Sequence, residues 1–398
     1  MRLKDFMHYP DIGCRLAMMR CYEWFGSEMP RVHQTLAQRL WFRFGALNLI
    51  YQNLGMVVYL FMAESQYDKL STIVAQISET CSVMGLTLVG ACNMWMLLQY
   101  RSDIECMLAD LQQLYPNRGI QSRVYRIEYY FEKSTRLMRY TAIFFISAYG
   151  YYNALPVVQL LYELLAESQH VRYQYQSNTW YPWQLLAAPD SSISFIAAYL
   201  CQALSSLVGV AFIMISQFLL CFFITQMRLH FDALANGLYY LDARQPGANE
   251  HLKVLISYHS RLLCIADKIN DIFNFTFLIN FTTSTIAICL MAFAMVMISL
   301  ASTFKYSVGL LSFLVFTLFI CYNGTELTSA SDKLLPAAFY NNWYDGDLVY
   351  RKMLLFFMMR SCESRVLRAY KFTPVSMATY MAMLKFSYQL FTFVRAMI

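Results

Sequence analysis

Charge is what this 398-residue chain has least of: Asp, Glu, Lys and Arg together make up 14% of it. Soluble domains carry about 25%. So few charges cannot clothe a water-soluble globule of this size, and that class is excluded. Disordered segments are poor in aromatic residues, whereas this chain holds 30 Tyr and 30 Phe, so disorder is excluded as well. Catalytic signatures are missing. There is no GxSxG, P-loop or HExxH motif and no Asp pair inside an apolar run. None of the six His falls in a predicted span or near a carboxylate at catalytic or metal spacing. Enzyme activity, a cofactor, a metal and a nucleic-acid partner are therefore not expected. The 11 Cys include no CxxC pair and none in a predicted outer loop, so no outer disulfide is expected. No internal repeat or soluble domain is visible. Residues 1–43 carry seven basic side chains but no apolar core of signal-peptide length, and they are expected to stay in the cytosol.

Long uncharged runs are abundant. A bilayer core about 30 Å thick needs about 20 apolar helical residues. Arg43 and Glu64 bracket 20 uncharged residues, Glu79 and Arg101 bracket 21, and Arg139 and Glu163 bracket 23. Asp190 and Arg228 bracket 37, Asp271 and Lys305 bracket 33, and Lys305 and Glu326 bracket 20. Val375–Ile398 is apolar apart from Lys385 and Arg395. The fold class is thus an all-α membrane protein with seven transmembrane helices. Its expected organisation is a cytosolic segment at 1–43, a six-helix bundle at 44–330, an inner anchor segment at 331–374 and a last helix at 375–398. The 37-residue run would reach about 55 Å as a helix, so the fourth helix should project beyond the membrane. The fifth should do so too, starting within Leu262–Asp271.

Basic residues orient the chain. Of the 31 Lys and Arg, 26 fall on one side of this arrangement and four on the other (Lys69, Arg172, Lys305 and Arg395), with Lys385 inside the last span. The positive-inside rule then puts the N-terminus in the cytosol and the C-terminus outside. On the inner side, Phe231–Leu241 and Glu250–Lys268 read as helices flanking a turn at Gln245–Asn249. Gly346–Tyr370 reads as an amphipathic helix ended near Pro374, either lying under the membrane or packing against further copies of itself. On the outer side, Trp180-Tyr181-Pro182-Trp183 suits an interfacial anchor or a lid. Phe195, Tyr199, Gln202 and Ser206 share one helical face. That face serves helix packing or a mostly apolar cavity with few polar groups. Lys385 lies near mid-membrane, where it either snorkels or borders a water-filled path.

The C-terminal region carries specific motifs. Glu326-Leu327-Thr328-Ser329-Ala330-Ser331-Asp332 is followed by Ala337-Ala338-Phe339-Tyr340-Asn341-Asn342-Trp343-Tyr344. Then come Arg351-Lys352, Met358–Ser361, Phe372-Thr373-Pro374-Val375-Ser376, Thr379-Tyr380 and Ser387–Arg395. This ordered set resembles the insect odorant receptors over roughly the last 75 residues. Span count, orientation and the Trp180-Tyr181-Pro182 turn extend the resemblance along the chain. Tyr370 stands where family members often have Gly. Thr379-Tyr380 and Lys385-Phe386 are similar to the gustatory receptor signature, though one residue short and with Lys for Gln. The chain lacks the long inner-loop insertion of the shared co-receptor and so resembles a ligand-tuning subunit.

The resemblance implies a ligand-gated, non-selective cation channel in the plasma membrane of olfactory sensory neurons. It implies a heterotetramer with the co-receptor, surrounded by membrane lipids, with the last helices lining a central path for cations. A small volatile odorant would bind in the outer half of the bundle. Carried over by position, Ile77, Met84, Ser147, Gly150, Tyr151, Tyr199, Gln202 and Tyr306 would lie near it, and their aromatic character favours an aromatic volatile. Ser387, Leu390, Phe391 and Val394 would line the outer pore, with Phe391 and Val394 as a constriction gating by dewetting. A gustatory-type homomeric channel, a G-protein-coupled receptor and a transporter remain alternatives.

Overall fold

The computed structural model describes residues 2–24, 35–63, 70–116, 125–165, 175–185, 192–297, 300–370 and 372–397. Of the basic residues used for orientation, Arg31, Lys69, Arg118, Arg123, Arg172 and Lys371 lie outside the described residues, as does most of the outer segment 166–191. The long helices are α2 (Leu36–Ala63), α3 (Leu70–Gln99), α5 (Ile127–Leu165), α6 (Ser192–Tyr239), α7 (Ala248–Met297), α8 (Leu300–Ser331) and α11 (Met377–Met397). Shorter helices are α1 (His8–Leu16), α4 (Arg101–Leu114), α9 (Leu334–Phe339) and α10 (Leu348–Ser361). Among the described residues, five helices meet the demands of a bilayer crossing by length and composition, namely α2, α3, α6, α7 and α8. The other two expected spans, α5 and α11, are helical over 39 and 21 residues and carry more polar side chains.

Helix α6 is the axis of the bundle. Every residue from Ala211 to Met227 is buried. A helix that is apolar all round must be enclosed on all sides, and α1, α2, α3, α5, α7 and α8 pack around this one. The N-terminal segment contributes directly: a Cβ on Gly13 of α1 would come within 2.7 Å of Ile215. Helices α3 and α6 also approach closely, since a Cβ on Gly90 would meet the Gly209 backbone at 2.9 Å. At 48 and 50 residues, α6 and α7 are about 70–75 Å long, more than twice the bilayer core.

Two expected boundaries move. The fifth span does not start within Leu262–Asp271. It is continuous with the inner helix from Ala248, because no breaker separates them and the apolar stripe Leu252, Leu262, Ile265, Ile269 and Ile272 stays buried throughout. The amphipathic helix expected over Gly346–Tyr370 stops at Ser361. Beyond it the backbone finds other partners: the Arg365 amide donates to Ser331 Oγ (2.9 Å) and the Arg368 amide to Asn270 Oδ1 (2.7 Å). A two-stranded hairpin follows, β1 (Arg368–Ala369) against β2 (Thr373–Pro374). Tyr370 sits in its turn with φ +45°, a left-handed position that favours glycine. The bend thus survives without the glycine.

The C-terminal motifs hold together the half of the bundle that carries the α6–α7 turn, called the inner half after its expected side. Asn341 Nδ2 donates to the carbonyls of Leu238 (2.8 Å) and Leu241 (2.5 Å), and the Tyr350 hydroxyl donates to its Oδ1 (3.0 Å). Asn342 Oδ1 accepts from the Ala243 amide at 2.9 Å. Together these cap the end of α6, whose last carbonyls have no partner within the helix. Glu326 receives Arg228 and, at 3.4 Å, Lys133, while Asp232 receives Lys333 at 2.7 Å and the Tyr130 hydroxyl.

Candidate functional site

Where α3, α5, α6, α7 and α8 diverge, they enclose a cavity of about 90 Å³. Its wall follows helical spacing. Helix α3 contributes Ser82, Val83, Leu86 and Thr87, α5 contributes Phe145, Ala148, Tyr149 and Tyr152, and α6 contributes Gln202, Ser205, Ser206, Gly209, Val210 and Ile213. Met291, Gly309, Ser312 and Phe313 close the far side. The wall is mostly apolar with scattered hydroxyls and amides, the composition common to small-molecule pockets.

Gln52, Gln176 and Ser177 also reach the cavity, and they belong to its roof. The Trp180 amide donates to the Gly55 carbonyl (3.1 Å), and the Tyr51 hydroxyl donates to the Trp180 carbonyl (3.0 Å). Tyr181 is fully buried and donates to Gln52 Oε1 at 2.9 Å. Gln52 Nε2 donates to Ser177 Oγ (2.8 Å) and Thr179 Oγ1 (2.7 Å). Gln202 Nε2 donates to the Ser177 carbonyl at 2.9 Å, and its Oε1 accepts from the Gln176 amide at 3.1 Å. Segment 176–181, with the start of the aromatic turn, is therefore knitted to α2 and α6 over the cavity.

Most hydroxyls in the wall are engaged. Ser82 donates to the Ser78 carbonyl (2.7 Å), Ser206 to Ala203 (3.0 Å) and Ser312 to Val308 (2.8 Å). Thr87 donates to the Met84 carbonyl and Asn53 Oδ1, both at 3.0 Å. Tyr149 reaches the Ala203 carbonyl (3.3 Å) and Tyr152 that of Lys305 (2.9 Å). Above Tyr152, Lys305 pairs with Glu79, which also accepts from the Tyr306 hydroxyl at 3.0 Å.

Of the eight residues expected near a ligand, Gln202 lines the cavity. Tyr199, one turn away, donates to the Asn153 carbonyl at 2.9 Å. Tyr151 packs edge-on against Tyr152 and Phe304, and Tyr306 is buried beside Glu79. Met84 is half-buried on the flank of α3, and Ile77 is exposed. Ser147 and Gly150 face outward, and nothing lies within 4 Å of a Cβ built on Gly150. The inward face of α5 is the neighbouring one, Phe145, Tyr149 and Tyr152. The series Ser134, Met138, Thr141, Phe145, Tyr149, Tyr152 and Pro156, at steps of three or four, carries that signal in the sequence. Ser205, Thr87, Ser312 and Met291 were also missed.

The four residues expected to line a pore lie on the packed side of α11. Ser387 is buried and donates to the Thr285 carbonyl at 3.2 Å, and Leu390, Phe391 and Val394 are half-buried. Lys385, Gln389 and Thr392 are exposed on the opposite side of the helix. Spacing along α11 puts the four expected residues on one side, but it does not say which side meets α7 and α8.

Residues 73–388 match the model of the family described as 7tm odorant receptor. This chain belongs to that family. It is 44% identical over 397 residues to putative odorant receptor 69a, isoform B, of Drosophila melanogaster, covering 100% of both chains. It is 27% identical to odorant receptor 85c of the same species, covering 91% of this chain and 92% of the other. Among solved structures it is similar to the insect olfactory receptor OR5 from Machilis hrabei in complex with eugenol. That match has a TM-score of 0.77 at 12% identity and covers 99% of this chain and 100% of that one. The likeness to the solved structure shows that the odorant receptor shares the helical membrane fold. The family match selects the odorant receptors over the gustatory, G-protein-coupled and transporter alternatives.

Proposed function

We propose that this odorant receptor is the ligand-tuning subunit of a cation channel, with its N-terminus in the cytosol and its C-terminus outside. A small volatile odorant occupies the cavity beneath the Trp180–Trp183 lid. The single observation that carries this reading is the cavity itself: enclosed, mostly apolar and roofed by a hydrogen-bonded turn. The similar receptor OR5 is described in complex with eugenol. A 150 Å³ cavity accommodates benzene, so an odorant of that size or larger requires the lining to yield, and the unbranched Met291 side chain suits that role.

Gating requires the ligand to bind the open arrangement better than the closed one. An odorant that spreads α3, α5, α6 and α8 shifts α7 and α8, the helices against which α11 packs. Helix α11 is then the wall of the conduit in a heterotetramer with the co-receptor, in the plasma membrane of olfactory sensory neurons. Ser387 holds α11 to α7, and Leu390, Phe391 and Val394 form the constriction as the packed side turns toward the path. Tyr199, Tyr151 and Tyr306 shape the outer approach to the cavity.

Co-expression with the co-receptor and current recording against an odorant panel tests the reading. Ala148→Phe, which fills the cavity, is expected to abolish every odorant response at unchanged surface level. Full responses in that variant refute the cavity as the odorant site. Surface labelling of a C-terminal tag on sealed cells tests the orientation.

A further inference from the structure

Buried hydroxyls on apolar helices usually return their hydrogen to a carbonyl three or four residues back. Ser82, Ser206 and Ser312 do so in the cavity wall. Ser205 differs. It is 1% exposed, it lines the cavity, and among the described residues its Oγ has no hydrogen-bond partner.

The cause lies on the neighbouring helix. The carbonyl one turn back from Ser205 is that of Cys201. In the continuous helix α6 it accepts the Ser205 amide. It also accepts Asn48 Nδ2 from α2 at 2.7 Å. A carbonyl oxygen has two lone pairs, so both are taken. Asn48 thereby occupies the acceptor four residues back, the Ser205 hydroxyl makes no bond to the Gln202 carbonyl three residues back, and one hydroxyl stays unengaged in a wall where the others are satisfied.

We propose that Ser205 is the hydrogen-bond partner that selects oxygen-bearing odorants in this cavity, and that Asn48 acts as a positioning residue by keeping the Ser205 hydroxyl free. The proposal rests on the reading that the cavity is the odorant site. The ligand class is small, mostly hydrocarbon, with one exposed acceptor oxygen: a ketone, aldehyde, ester or alcohol. An unpartnered buried hydroxyl favours such a molecule over its hydrocarbon isostere, because only the former completes the hydrogen bond. The remaining wall contacts are indifferent to the oxygen.

The test uses the full chain with the co-receptor, recording dose–response curves for 2-alkanones of six to ten carbons and the 2-methyl-1-alkenes that replace the carbonyl by a methylene. The wild-type receptor is expected to prefer the ketones. Ser205→Ala and Ser205→Cys are expected to raise the half-maximal ketone concentration about five- to tenfold, the worth of a neutral hydrogen bond. Alkene responses should stay within about twofold. Asn48→Leu frees the Cys201 carbonyl to accept the Ser205 hydroxyl, and it is expected to reduce the ketone preference in the same direction without touching the ligand. Equal shifts for ketone and alkene, no shift for either, or a wild-type receptor silent to every ketone overturns the proposal. If the Ser205 variants fail to reach the surface, the Asn48→Leu selectivity ratio decides. Loss of all responses in Ala148→Phe together with unchanged selectivity in the Ser205 variants refutes the Ser205 role alone. Full responses in Ala148→Phe refute the cavity reading beneath it.

Discussion

The outer and inner halves of this bundle are made from the same helices but are held together differently. In the inner half α6 is enclosed all round, and charged and amide side chains reach across elements far apart in the chain. Arg228 meets Glu326, Lys333 meets Asp232, and Asn341 caps α6. In the outer half the helices splay around the cavity, whose wall serines bond their own helix while Tyr149, Tyr152 and Tyr199 reach carbonyls of neighbouring helices. A hydroxyl bonded to its own helix holds no neighbour in place. The inner half is therefore tied across by charge pairs and amides, whereas the cavity wall in the outer half carries serines that tie no helices together. A receptor that must assemble reproducibly yet respond to small molecules needs both.

The sharpest way to break this contrast is to remove an inner cap. Asn341→Ala takes a donor from the Leu238 and Leu241 carbonyls and the acceptor from the buried Tyr350 hydroxyl, the Leu238 carbonyl keeping only the Leu241 amide at 3.3 Å. Each unsatisfied group costs about 1–3 kcal/mol. The expected result is a large fall in surface level and thermal stability of the solubilised receptor. A variant as stable as wild type would show that the inner half is not the rigid partner.

Acid should loosen the inner half next. Burial, with Arg365 and Arg360 nearby, pushes the His259 imidazole down to about 4 from its ordinary 6.5. The neutral ring packs on Phe357 at 4.7 Å between centroids. A group whose folded pKa is depressed in this way binds its proton more readily once unfolded. Its stabilisation is complete above about pH 6.5 and is lost as pH falls toward 4. The thermal midpoint should drop across that window, and His259→Phe should flatten part of the drop. An unchanged pH profile in the variant counts against a buried neutral His259.

Much of this architecture was legible in the sequence. The charge gaps located the helices, the Gln245–Asn249 turn fell between α6 and α7, and the C-terminal motifs proved to be the caps and crossings of the inner half. The misreadings have different origins. Where α10 ends is set by what other segments offer the backbone beyond it, such as Asn270 for Arg368, and local composition is silent on that, whereas α7 begins early because nothing breaks the buried stripe from Leu252 onward. The expected α5 residues fall beside the cavity face, not on it, because tyrosines and small residues occur on both sides of Ser147–Asn153. The cavity is harder still, since it exists where helices do not touch, although the spacing of Gln202 and Ser206 marks part of its α6 wall.

Tyr370 sharpens the comparison in the favourable direction. Its φ of +45° places a bulky side chain in the left-handed region, at a cost of about 1–2 kcal/mol. Tyr370→Gly relieves that cost but also removes the stack on Phe372 and adds chain entropy in the unfolded state. The net expectation is a gain of about 1 kcal/mol or less, seen as a modest rise in thermal midpoint with odorant thresholds unchanged. A destabilised variant would mean that the Tyr370–Phe372 contact outweighs the backbone strain.

The smallest effect is the most discriminating. Ser312 lines the same cavity as Ser205, is equally a serine on an apolar helix, and differs in having its hydrogen engaged by the Val308 carbonyl at 2.8 Å. If lining the cavity were enough to sense a ligand's oxygen, the two serines would be equivalent. If a hydroxyl must be unengaged, Ser312→Ala removes only a bond within its own helix, whose carbonyl keeps its main-chain partner. Thresholds for ketones and alkenes should then both stay within about twofold of wild type, at normal surface level. A selective loss of ketone response in Ser312→Ala would show that helix-bonded hydroxyls swing inward on binding, and the outer half would be adaptable in its side chains as well as in its packing.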